Sequence, residues 1–259
     1  MIVFSHSFLA MFTRFAMVIP GMESRQGDKL AVEAERIVEN WEACLSNYRS
    51  GAELQFLNAL AHERELKISE PMARVLDICT HYNRLTRGLF DPAVNDSGSR
   101  WTDVCHDSKK QSIRFANSDV KIDLGGIGKG IALEDVVLFL KSEGVTDAFL
   151  SFGESSLAGV GKHPHGDGWL VGSEEGFLLR DEFLSVSGLQ DSGKGGKESS
   201  GAHIFHPIKG ELINSTRKVM VKCDSPVEAE VLSTCGYMAD AEELEKLKHI
   251  FPAAEWRID

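Results

Sequence analysis

Residues 121–144 read KIDLGGIGKGIALEDVVLFLKSEG. The first four residues predict a short strand, a glycine-rich turn follows, and a helix comes next. Leu133, Val136, Val137 and Leu140 recur on one helical face, and Gly144 stands where a C-terminal stop belongs. Glycines at 125, 126, 128 and 130 allow backbone to approach a ligand closely. Because the turn opens directly into the helix, N–H groups and the positive end of the helix dipole point at whatever occupies it. Lys129 adds a mobile cation there. Two readings follow from the residues alone: a structural turn, or an anion site whose expected anion is phosphate. Neither familiar phosphate fingerprint fits. Asp123 stands where a Walker loop has its first glycine and Gly130 where it has Ser or Thr, and Gly126, Gly128 and Gly130 run G-x-G-x-G rather than G-x-G-x-x-G.

Outward from that stretch, the chain of 259 residues is long enough for one large domain or two interlocked lobes. Its formal charge of -11, with no Lys/Arg cluster to offset it, argues against a nucleic-acid surface. The five cysteines, Cys44, Cys79, Cys105, Cys223 and Cys235, include no C-x-x-C pair. They read as reduced, mostly buried thiols in a reducing compartment. The apolar start, MIVFSHSFLAMFTRFAMVIPG, is broken by His6 and Arg14, has no basic region before it and no A-x-A site after it. It predicts one or two strands closed by a Pro20-Gly21 turn, with no membrane span. A cytoplasmic location is the matching expectation.

Further elements follow in order. A helix over 28–45 carries Leu30, Ala34, Ile37, Trp41 and Leu45 on one face, with Asp28 as its cap. Another begins after Ser69, with Glu70 and Pro71 in its first turn, and stops by Gly88. Asp91 precedes Pro92, which favours extended geometry and sets its carboxylate on a loop. Residues 95–111 read as loop and 112–116 as a strand. Segment 147–152 is a buried-strand candidate, and a β-rich stretch follows. Residues 190–201 are Gly/Ser/Lys-rich and read as a mobile surface loop. Ser225, Pro226 and Glu228 form a capping-box signature for a helix, a second helix covers 241–249, and AAEWRI reads as a last strand. No repeat and no long linker divides the chain, so a single domain over 1–259 is expected.

Three side-chain groupings invite chemistry. HPHGDG at 163–168 has metal-ligating residue types, but it also has the composition of a tight surface turn. His203 and His206 are three apart in a strand-like segment, so they leave opposite faces and cannot share one ion. Glu230 and Thr234 are four apart on a helix and share a face, a hard-oxygen pair suited to Mg²⁺; solvated surface is the plainer alternative.

Together these pieces resemble the ApbE family of FAD:protein FMN transferases. Met11-Phe12-Thr13 is similar to the family's Met-Gly-Thr element, and 52–58 to its Ser-Glu-x-x-x-x-Asn element, ending at Asn58. Gly88-Leu89-Phe90-Asp91-Pro92 matches Gly-x-Phe-Asp-Pro, and 123–130 matches Asp-Leu-Gly-Gly-Ile-Ala-Lys-Gly except at Gly128. Ser187-Gly188, His203-Ile204 and 229–234 follow in the family's order.

The resemblance implies an α+β, T-fold-like chain with two intimately packed lobes around an FAD cleft. It implies Mg²⁺-dependent transfer of the FMN moiety of FAD to a Thr or Ser hydroxyl of a partner flavoprotein, with release of AMP. FAD pyrophosphatase activity and FAD binding without catalysis are the alternatives. Carried over residue by residue, the metal falls to Glu230, Thr234 and the carbonyl of Gly128. Lys129 shares the phosphate charge, and His203 is the candidate base for the acceptor hydroxyl. Met11, Asn58, Phe90, Asp91, Gly125, Gly126 and Ser187 are implied to bind FAD. The chain departs from the pattern at Ala52, Glu154, His206, Ile208 and Glu230, where the family has Ser, Gly, Asp, Arg and Asp.

Overall fold

The computed structural model describes residues 1–172, 176–188, 205–213 and 216–259. The chain opens with an antiparallel hairpin of β1 (Val3–Ala10) and β2 (Thr13–Pro20). Its turn is Met11-Phe12, with φ of 48° and 60°. The expected Pro20-Gly21 closure is at the other end, where the Gly21 N–H donates to the Ile2 carbonyl. A two-residue hairpin turn with both φ positive is ordinarily built on Asn or Gly. Here the Glu42 carboxylate accepts the Met11 N–H at 3.0 Å and steadies it.

Helix α1 (Ser24–Leu45) begins a turn earlier than expected, so Asp28 lies inside it and is not its cap. Gly27 explains the early start: a Cβ there would lie 2.3 Å from the Phe4 ring, so glycine lets the first turn press onto β1. Next come α2 (Glu53–Leu60), β3 (Leu66–Lys67) and α3 (Glu70–Leu85). The Ser69 hydroxyl caps α3 as expected, accepting from Met72 N at 3.2 Å. The segment read as loop contains β4 (Val104–Asp107), which pairs with β5 (Ser112–Phe115) in a small β3-β5-β4 sheet. With α2 and α3 this sheet makes a smaller lobe, whose Leu54, Leu57, Ile113 and Phe115 join the main core.

Helix α4 (Gly128–Ser142) follows the glycine turn. The strand expected over 121–124 is absent, although Ile122 and Leu124 are buried and Lys121 and Asp123 exposed as a strand would have them. Its backbone bonds to the Asn58 side chain and the Pro92 carbonyl, so no ladder forms.

The remaining strands are β6 (Ala148–Phe152), β7 (Ser156–Val160), β8 (Trp169–Val171), β9 (Phe177–Leu179), β10 (Glu182–Ser187), β11 (Phe205–His206), β12 (Glu211–Leu212), β13 (Val219–Cys223) and β14 (Glu255–Ile258). Helices α5 (Pro226–Met238) and α6 (Ala241–Ile250) lie between β13 and β14. A seven-stranded sheet runs β1-β2-β6-β7-β10-β13-β14 with every neighbour antiparallel. Alternation along its strands sends Leu150, Ala158, Phe183 and Val221 to the helices. Leu157 and Leu184 go to a second cluster under the β8–β9 hairpin, with Trp169, Phe177 and Leu179. The chain is therefore α+β, a sheet with helices on one side and a hairpin on the other.

Helix α5 is buried almost all round; only Glu228 and Thr234 are half-exposed. Ser225 caps it, but the reciprocal half of the expected capping box is replaced: the Glu228 carboxylate lies 3.5 Å from the Tyr82 hydroxyl. The five cysteines are free thiols, four of them buried, and burial pushes Cys44 and Cys223 up to about 12. No helix among the described residues is long and apolar enough to cross a membrane.

Candidate active site

A cleft of about 860 Å³ opens where α5, the end of β10, the glycine turn before α4 and the loop after α3 converge. Phe205 and Pro207 of the β11–β12 hairpin close one side. A smaller chamber of about 160 Å³ lies against the β1–β2 turn and the end of α1. The two share Tyr48, Asp123, Gly125 and Lys129, so the glycine turn forms the waist between them.

Glu230 sits at the centre of the polar structure. It is 3 % exposed, and both carboxylate oxygens are engaged. Oε1 accepts from the Ser156 hydroxyl at 2.5 Å and lies 3.1 Å from Lys129 Nζ. Oε2 accepts from the Gly130 N–H at 2.8 Å. Gly130 is in the first turn of α4, so a carboxylate from α5 caps α4 across the helix–helix contact, where the dipole favours negative charge. Close approach requires glycine: a Cβ at 130 would lie 2.8 Å from the Pro226 carbonyl oxygen.

This corrects the picture of a wholly open turn. The N–H groups of Gly125, Ile127, Gly128 and Gly130 already have protein acceptors, namely Asp123, Leu124 twice and Glu230. Those of Gly126 and Lys129 remain without a protein partner among the described residues. Thr234, one turn beyond Glu230, reaches the same turn; a Cβ at Gly126 would lie 3.8 Å from its Oγ1. The early turn and the late helix are therefore in direct contact.

Serine hydroxyls line the floor. Ser185 and Ser187 each lie 2.9 Å from the Ser233 hydroxyl, and Ser233 donates to the Glu230 carbonyl at 3.2 Å. Ser156 and Ser185 are cross-strand partners on the helix-facing side. The family resemblance points to Ser187 alone. Its missed signal was period-2 polarity in FLSVSG, where Ser185 and Ser187 must share a face.

Met11 and Gly128 line the smaller chamber; Phe90, Asp91 and Gly126 line the larger; Gly125 lines both. Phe90 is held by the Thr86 hydroxyl, which accepts its N–H, and by Asn83, which donates to its carbonyl. Asp91 accepts the Ala93 and Trp101 N–H groups at 2.9 and 3.0 Å. Burial pushes its carboxyl above the usual range, and those N–H groups pull the other way. Asn58 stands behind the cleft wall, donating to Asn47 and the Ile122 carbonyl and accepting the Ile122 N–H. His203 and the loop 190–201 lie outside the described residues. The 163–168 turn is largely exposed, and no group of three or more His, Cys, Asp or Glu suited to a metal occurs among the described residues.

His206 is fully buried and anchors the hairpin that carries Phe205 and Pro207. Its Nε2 lies 3.3 Å from Glu243, and its Nδ1 accepts the Lys209 N–H. Lys209 in turn pairs with Asp240, the cap of α6, at 2.9 Å. The Glu243 N–H and Lys209 hold the Asp240 carboxyl at about 2, down from 3.8. A depressed carboxyl stabilises the fold above its unfolded value and loses that effect as pH falls through its folded value. The thermal-midpoint gap between wild type and Asp240→Ala is therefore expected to be constant above about pH 5 and to close as pH falls towards about 2. Parallel melting curves across that range check it.

The sequence profile of the ApbE family matches residues 11–253, so the chain belongs to the ApbE family. An FAD:protein FMN transferase of Chlamydia trachomatis is 22% identical over 205 residues, covering 69% of this chain and 64% of that protein. One of Klebsiella pneumoniae is 20% identical over 233 residues, covering 79% and 65%. The chain thus spans slightly less than two thirds of these curated relatives. Among solved structures, the apo flavinyl transferase ApbE of Pseudomonas stutzeri superposes with a TM-score of 0.83 at 18% identity, covering 99% of this chain and 92% of that one. The flavin transferase ApbE of Vibrio cholerae gives 0.80 at 18%, covering 98% and 92%. At such identity the likeness establishes the fold.

Proposed function

We propose that this chain transfers the FMN moiety of FAD to a Thr or Ser hydroxyl of an acceptor flavoprotein and releases AMP. The observation that carries the reading is the waist at Gly125 and Lys129 between two chambers. A ligand with a ring system at each end and a diphosphate in the middle matches that shape, and its charged centre meets the turn the sequence marks for an anion. Names of the curated relatives support the same activity.

The cleft's charge supports a divalent cation. Asp91, Asp96, Asp123 and Glu230 line the larger chamber, whereas Lys129 is its single Lys or Arg among the described residues. A diphosphate there needs further positive charge. Glu230 and Thr234 offer a carboxylate and a hydroxyl on successive turns, hard oxygen donors that fit Mg²⁺, and the Gly128 carbonyl completes the proposed set. When bound, Mg²⁺ draws charge from the phosphoryl oxygens. Lys129 and the start of α4 share that load, and Phe90 and Asp91 shape the chamber. The acceptor oxygen bonds to the FMN phosphorus, the bond to the AMP oxygen breaks, and the hydroxyl proton passes to a base, for which His203 is the sequence candidate. Positioning and electrostatics then supply most of the rate. A reducing, cytoplasmic setting belongs to the same proposal, supported by the free thiols.

The test is incubation with FAD, Mg²⁺ and an acceptor carrying a flavinylation site, following AMP and in-gel fluorescence. A fluorescent acceptor is expected. AMP with free FMN and a dark acceptor points to a pyrophosphatase, and FAD bound without AMP to a binding protein. Chelating Mg²⁺ is expected to stop turnover and to weaken FAD binding by about tenfold.

A further inference from the structure

We infer that the Lys129 ammonium is the resident counter-ion of Glu230 and is exchanged for the divalent cation when the cleft loads. The proposal rests on the metal reading above and adds what the chain does without the metal. A carboxylate as buried as Glu230 cannot be left bare, because desolvating an unpaired charge is costly. Its three partners differ in freedom. Ser156 is 2 % exposed within β7, and the Gly130 N–H belongs to the backbone of α4. The Gly130 N–H cannot leave without moving α4, and a Ser156 hydroxyl that rotates away has no solvent to turn to. Lys129 ends a rotatable side chain, is 24 % exposed and lines both chambers.

Lys129 is also the partner that a metal would displace. Its Nζ lies 3.1 Å from Oε1, and two cations on one carboxylate oxygen repel strongly at that range. A metal arriving at Glu230 therefore drives the ammonium off. The freed Nζ stays at the waist, where the diphosphate is proposed to lie. Metal capture and delivery of a cation to the phosphates become one event, and a metal-free cleft keeps Lys129 withdrawn.

The test uses Mn²⁺ alone as probe, bound to the full chain without FAD and followed by electron paramagnetic resonance. Removing the competitor in Lys129→Gln is expected to tighten Mn²⁺ by about tenfold. Peptide-resolved labelling of wild-type Lys129 by an amine reagent gives a second readout independent of any variant's folding: Mn²⁺ is expected to speed it severalfold. If wild type and Lys129→Gln both bind Mn²⁺ and the variant binds no more tightly, or labelling does not change, the exchange is wrong while the metal reading stands. If wild type binds no Mn²⁺, with or without FAD, both fall together.

Discussion

Glu230→Gln is expected to lower the proposed metal-dependent FMN transfer by about 10²- to 10³-fold, the range found when one preorganised electrostatic group is removed. The change keeps the shape and removes the charge. A glutamine can still accept the Gly130 N–H and meet Ser156, but it leaves Lys129 without its counter-ion. Glu230→Ala should do more. It strands the Gly130 N–H and the Ser156 hydroxyl together with the ammonium, and unmade buried partners cost about 1–3 kcal/mol each. Lys129 can turn to solvent, which discounts its share, so a loss of about 3 kcal/mol is expected. Denaturant melts read the second effect and the AMP assay the first. A Glu230→Gln variant with wild-type turnover at low and high Mg²⁺ removes Glu230 from the proposed metal set.

The other large effect belongs to Gly130→Ala. The new methyl meets the Pro226 carbonyl oxygen at 2.8 Å and its carbon at 3.0 Å, and these are backbone atoms at the start of α5 that cannot rotate away. The Glu230 carboxylate is 3.1 Å off as well. Either α4 lifts from α5 or the first turn of one helix distorts, and overpacking of this kind costs about 1–3 kcal/mol. Because the same contact carries the Glu230 cap, transfer should fall with stability rather than independently of it. A control at Gly126, where the nearest atoms stand 3.7 Å away, should spare the fold by comparison. Melting midpoints of the two variants, measured side by side, check the contrast; equal losses would remove the packing argument.

Much of the fold is legible because its signals are local. Ser69 with Pro71, and Ser225 with Pro226, mark the starts of α3 and α5 through the chemistry of the helix end itself. What was misread depends on distant partners. Segment 121–124 has a strand's burial pattern, but Asn58 takes the place of a neighbouring strand, and no local feature announces that substitution. Asp28 looked like a cap because the glycine contact with Phe4, which sets the earlier start of α1, joins residues far apart in sequence. The site divides the same way. Gly125–Gly130 and the Glu230/Thr234 spacing are visible as patterns, whereas the Ser156–Glu230 bond spans 74 residues and the Gly130–Glu230 bond 100. Such pairings are set by the order of strands and helices around the core, which periodicity does not reveal.

The helix that supplies Glu230 and Thr234 is also the most enclosed helix among the described residues. In many enzymes the reactive groups ride on peripheral loops that loosen early on heating, so catalysis fades while the globule persists. Here the side chains proposed to hold the cation stand on a buried helix, and no partial opening removes them without opening the interior itself. Loss of these two side chains from the cleft on heating and collapse of the whole molecule thus become a single transition.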